Sequence, residues 1–176
     1  EPAFGPGYLY FASNRPDALG SQDLYRAVYE DGSFSEPENL GPSVNTVAAE
    51  TDPAPGPAGL AFASDRSRGA RIDFDLYLAT PVAAGASDQT YRVAALEPVN
   101  SPWDEREPWF TSKGNTLLLA SDREGGAGSF DLYRSVRDQG TWLPPVPLAG
   151  LNSTVSERAP TATPDGFTLW FSSEDT

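Results

Sequence analysis

The sequence predicts an all-β chain made of repeated four-stranded antiparallel units, and three observations predict it. An apolar run ending in serine recurs at Leu9–Arg15, Leu60–Arg66, Leu117–Arg123 and Leu169–Asp175, with the aligned serines at 13, 64, 121 and 173. Asp-Leu-Tyr follows in the same phase at Asp23, Asp75 and Asp131. An Asn-x4-Glu-x2-Pro element then recurs at Asn45/Glu50/Pro53, Asn100/Glu105/Pro108 and Asn152/Glu157/Pro160. No segment keeps a sustained 3.6-residue apolar period, so helix is expected to be nearly absent.

Each unit reads as four short strands. The first follows the proline and ends in a turn such as Gly5-Pro6-Gly7, Gly56-Pro57-Ala58-Gly59, Ser112-Lys113-Gly114 or Pro164-Asp165-Gly166. The second is the Leu-x-Phe-Ala-Ser run, whose short apolar alternation suits a half-buried strand. The third carries Asp-Leu-Tyr. The fourth lies near Leu40, Leu96 and Leu148, and a weaker motif leads into it: Gly32-Ser33-Phe34 with Pro37 matches Gly140-Thr141-Trp142 with Pro145. Four strands per roughly 50 residues is the pattern of a β-propeller blade. The expected division is blade one 1–50, blade two 51–105, blade three 106–157 and a partial fourth 158–176. A lone blade cannot bury its faces, so this array is expected to be an open part of a larger ring or to be completed by a second copy, with self-association through the open blades.

Charge and composition narrow the function classes. Lys+Arg is 12 against Asp+Glu 25, a net charge of −13, which disfavours nucleic acid and anionic membrane. No apolar stretch is long enough to span a membrane. The chain holds no His and no Cys, so it can build neither a Ser-His-Asp triad nor a thiolate nucleophile. The opening Glu1-Pro2-Ala3-Phe4 shows no signal-peptide pattern and is expected to be the start of a mature or trimmed segment.

These motifs resemble the TolB-type β-propeller repeat, a WD-repeat-like bacterial family. Its blades read Ser-Pro-Asp-Gly, then an apolar strand into Ser-Asp-Arg, then Asp-Leu-Tyr. Thr163-Pro164-Asp165-Gly166 is nearly the family turn, and Ser64-Asp65-Arg66 and Ser121-Asp122-Arg123 match outright. Asn14 and the Glu174-Asp175 pair depart from it. The Gly-Ser/Thr-aromatic and Asn…Glu elements resemble the subgroup often fused to OmpA-like domains. The resemblance implies a non-enzymatic protein of the periplasm, cell envelope or secreted fraction.

Residues that recur in every unit are expected to build the ring: Arg15, Arg66 and Arg123; Asp23, Asp75 and Asp131; Asn45, Asn100 and Asn152; Glu50 and Glu157. The arginines are expected to pair with carboxylates, either Asp75 and Asp131 or the glutamates of the Asn-x4-Glu element. Binding specificity is expected where units differ. Trp103, set among Asp104, Glu105, Arg106 and Glu107, has only Ala48 and Val155 as counterparts. The b–c loops Pro16–Gln22, Ser67–Phe74 and Glu124–Phe130 vary on the same side, and the longer hairpin Pro81–Gln89 varies on the other. The i, i+2 carboxylate pairs Asp73/Asp75 and Glu105/Glu107 would share a strand face, as Ca²⁺ ligands or a glycosidase dyad would. No other cofactor is expected. The function expected is a non-catalytic binding or scaffold module for a protein, peptide or glycan. The alternatives are an accessory propeller of a prolyl-peptidase-like hydrolase or a carboxylate glycosidase.

Overall fold

The computed structural model describes residues 2–66, 73–82, 90–111, 113–163 and 166–174. Among them there is no helix, and the strands pair antiparallel, with an isolated parallel bridge between Gln22 and Ala49. The first sheet runs β1 (Ala3–Gly5), β2 (Tyr8–Ser13), β3 (Asp23–Glu30), with β4 (Ser33–Phe34) and β5 (Glu38–Asn39) both on β3. The second runs β6 (Glu50–Gly56), β7 (Gly59–Ser64), β8 (Asp75–Pro81), β9 (Tyr91–Ala95). The third repeats the first as β10 (Glu105–Phe110), β11 (Thr116–Ser121), β12 (Asp131–Asp138), β13 (Thr141–Trp142) and β14 (Val146–Pro147). β15 (Ser156–Ala162) and β16 (Leu169–Glu174) form a two-stranded sheet.

The expected outer strand is thus broken in two where Pro37 and Pro145 fall, since proline cannot donate to a ladder. In the second sheet, without such a proline, β9 is continuous. The weak Gly-Ser/Thr-aromatic motif is a two-residue hairpin turn. Asp31 and Gly32 have φ of 51° and 81°, and Gln139 and Gly140 have 46° and 88°. Positive φ at both positions marks the type I′ turn that suits strand twist.

Register supplies a third member of this set that motif matching misses. Phe34 pairs with Tyr29 and Trp142 with Arg137, and Tyr91 pairs with Pro81 at the corresponding rung. Most of the hairpin before Tyr91, residues 83–89, lies outside the described residues.

The sheets stack face to face in chain order, with the first strands β1, β6, β10 and β15 side by side. One core cluster joins the first and second sheets through Leu24, Val44, Phe62 and Tyr77. Another joins the second and third through Ala61, Leu76, Leu119, Phe110 and Trp142. Sizes are matched across each interface. A Cβ on Gly5 would stand 2.7 Å from Pro55, and one on Gly56 would stand 2.3 Å from the Phe110 ring, so both glycines make room for the next sheet. Phe4 and Phe34, the first sheet's counterparts of Phe110 and Trp142, are 69% and 49% exposed, whereas the latter pair is 7% and 6% exposed.

Candidate functional site

A buried polar network ties each sheet to the next. Asn45 accepts from the Leu24 amide at 2.9 Å and donates to its carbonyl at 3.0 Å, and Asn100 and Asn152 clamp Leu76 and Leu132 the same way. Each asparagine thereby stands in for a strand partner of Asp-Leu-Tyr. Five residues on, the glutamate turns inward. Glu50 accepts from the Thr46 amide and hydroxyl, the Ser64 hydroxyl and Arg66 Nη2 at 3.0 Å. Glu105 repeats this with Ser101, Ser121 and Arg123 Nη2 at 3.0 Å. Glu157 does so with Ser153 and Ser173.

The arginines therefore meet the glutamates rather than the Asp-Leu-Tyr aspartates. Arg66 and Arg123 also donate to the Val44 and Val99 carbonyls, and they lie over Tyr77 and Tyr133 at 4.6 and 4.8 Å. Arg15 lies 5.5 Å over both Phe11 and Tyr25. The aspartates organise the b–c loops instead. Asp23 accepts from the Leu19 and Gly20 amides, and Asp131 from those of Ala127 and Gly128. Asp75, at their position, is buried.

Glu157 makes this network sensitive to acid. Burial pushes its carboxyl up, but the bonds from the Ser153 hydroxyl and amide and the Ser173 hydroxyl together outweigh it and hold the group below the ordinary glutamate range. A carboxyl lowered in the folded state contributes stability above its unfolded value, and loses it as pH falls through the folded value. The urea midpoint is expected to drop on acidification, and less steeply in Glu157→Gln. Identical acid slopes in the two proteins would rule out this assignment.

The five residues expected to form one binding loop are divided. Glu105 is fully buried in the network just described, so it presents nothing to a partner. It cannot share a face with Glu107 because the strand is bulged. Register shifts between Arg106 and Trp109, and likewise between Thr51 and Ala54 and between Arg158 and Thr161. An extra residue in one strand breaks the two-residue period. Asp104 accepts from the Phe74 amide at 2.8 Å and pairs with Arg106 at 3.3 Å, while Arg106 stacks 3.4 Å over Phe74. Trp103 is half-buried at the entry to β10. The corresponding Arg158 lies 4.4 Å over Phe130 and pairs with Glu107 at 2.8 Å. These aromatic–arginine stacks had no single-strand signature to reveal them.

The bulges have a second consequence. Asp52, Glu107 and Ala159 occupy one repeat position, each directly before the repeat proline, with φ of 51°, 53° and 52°. Left-handed backbone at a non-glycine residue is strained by about 1–3 kcal/mol and gathers at functional sites. All three line one cavity of about 50 Å³, the axial cavity, where the bulges of the side-by-side first strands converge, together with Pro2, Pro53, Pro108, Pro160 and Trp109. Glu107 is fixed there by Arg158 and by the Ala159 amide at 2.7 Å. Sequence reasoning missed this cavity because the carboxylates of Asp52 and Glu107 are not repeated at Ala159; only the following proline repeats. Among the described residues no group of three or more acidic side chains could hold a metal ion.

The chain is similar in structure to TolB from Acinetobacter baumannii, with a TM-score of 0.66 over 100% of its length at 16% identity. It spans 38% of that chain. No protein-family model matches the sequence, and no curated protein does. The likeness shows a TolB-like, antiparallel β fold.

Proposed function

We propose that the chain is a run of β-propeller blades, three whole and one partial, serving as a non-catalytic binding module of the bacterial envelope or secreted fraction. The cellular placement rests on the resemblance of the repeats to the TolB-type family. The observation that carries the binding role is the convergence of three strained bulge residues on one axial cavity. At about 50 Å³ that cavity admits the tip of a side chain, whereas substrate pockets usually offer ~300–1,000 Å³. A macromolecular partner therefore docks across this end and inserts one group. Asp52 in the lining and a net charge of −13 favour a cationic tip, while Glu107, already paired with Arg158, holds the rim in place. Trp103, Asp104 and Arg106, on the crossover leading to Glu107, form the outer part of the surface.

A lysine-containing tripeptide titrated into labelled protein is expected to shift the amides around Asp52, Glu107 and Ala159, with the response abolished in Glu107→Gln. Shifts scattered over the surface, or unaltered in that variant, would sink the reading. Trp103→Ala is expected to weaken a full partner at least about tenfold without lowering the melting temperature.

A further inference from the structure

A second concavity lies at the other end of β6 from the axial cavity. It opens between the first and second sheets, measures about 550 Å³, and is lined chiefly by Tyr8, Tyr10, Tyr91, Pro55, Pro57 and Pro81. Counting back from the repeat serine, Tyr8 stands where the other units have Gly59, Thr116 and Thr168, and Tyr10 where they have Ala61, Leu118 and Trp170. Tyr91 and Tyr10 also pack on the core cluster between these two sheets, so only part of each ring faces the concavity.

The aromatic groups are held in place. Tyr8 and Tyr10 lie two apart on β2, with ring centroids 6.0 Å apart and planes at 53°. Arg26 sits 4.7 Å over Tyr8, its guanidinium bound by both oxygens of Glu38 at 2.9 and 3.1 Å. The Tyr91 amide donates to the Ser43 hydroxyl at 3.3 Å. Burial pushes the Tyr10 phenol up to about 12 and moves Tyr91 the same way, so both remain hydroxyl donors at neutral pH.

Tilted tyrosines beside prolines form an apolar trough with a few phenol donors. A polyproline II strand fits such a trough: it has three residues per turn, makes no internal hydrogen bonds and leaves its carbonyls free to accept. A glycan fits less well, because among the described residues the lining holds no side-chain carboxylate, amide or guanidinium to bind sugar hydroxyls. The net charge of −13 favours basic residues on either side of the proline segment. We propose that this trough docks a proline-rich peptide in the polyproline II conformation with basic flanks. The site is separate from the axial end and stands or falls independently of it.

The test is fluorescence anisotropy with a labelled peptide carrying a Pro-Pro-x-Pro-Pro core between lysines. Saturable binding is expected. It should weaken at least about tenfold in Tyr8→Ala and in Tyr10→Ala, and on replacing the core prolines with alanine. Trp103→Ala and Glu107→Gln should leave it unchanged, which separates failure here from failure of the axial site. Because a tyrosine variant can misfold, amide shifts of the wild-type protein provide a second readout, expected at Gly56–Leu60 and Tyr91. Absence of saturable binding, binding that persists in folded Tyr8→Ala, displacement by a chitooligosaccharide, or shifts confined elsewhere would each overturn the proposal.

Discussion

Arg123→Ala is expected to be among the most destabilising single changes in the molecule, lowering stability by about 3–5 kcal/mol. Glu105 has no exposed surface and Arg123 keeps 15% of its side-chain exposure, so the pair is desolvated. Burial pushes the Glu105 carboxyl upward, against the Ser101 bonds and Arg123. The intact pair therefore adds little net stability, and the cost appears when one partner is removed and a lone charge stays buried. In a domain of this size the loss corresponds to a drop in melting temperature of about 10 °C. Without the guanidinium, Glu105 titrates still higher, so protonation relieves the defect and the gap to wild type should narrow as pH falls. The double variant Glu105→Gln/Arg123→Met should recover part of the loss, since it leaves no buried charge. A defect that is pH-independent, or that the double variant deepens, would refute this account.

Gly128→Ala is the second change with a large expected effect, about 3 kcal/mol. A Cβ there would stand 1.6 Å from the Val155 carbonyl oxygen, and backbone on both sides leaves no side chain to move aside. Gly20 makes the corresponding approach, 1.9 Å from the Ala48 carbonyl. These glycines let each b–c loop lie directly on the crossover to the next sheet, where the Glu157 amide donates to the Phe130 carbonyl at 2.8 Å and the Glu50 amide to that of Gln22 at 2.8 Å. Gly150→Ala is the control: among the described residues nothing lies within 4 Å of its Cβ position, so a change within about 0.5 kcal/mol is expected. Comparable urea midpoints for the two variants would show that the loop yields more easily than the packing implies.

What could be read from the chain depended on whether one unit carries the information. Asn45, Glu50, Ser64 and Arg66 recur in one order, with Asn a constant five residues before Glu and Ser two before Arg, so their structural role was visible before their contacts were. The choice of glutamate over aspartate as the arginine's partner was not, because both recur in phase and only the fold decides which comes within reach. Tyr91 escaped comparison with Phe34 and Trp142 because the hairpin before it is longer, while strand register restores the match. The axial cavity and the tyrosine–proline trough were illegible for a different reason. Each is assembled from different sheets, and a residue such as Asp52 or Tyr8 has no local neighbour to reveal what it will face.

The size matching between sheets bears on the order in which they stack. Pro55 and Phe110 each press against a glycine of the sheet before, and Ala162 replaces them where the preceding residue is Thr111 rather than glycine. Every junction is thus cut for one mate, and the units are not interchangeable parts. Exchanging Pro55 with Phe110 would put each bulky group against a cleft shaped for the other, so the order of the sheets along the stack is written into the junctions themselves.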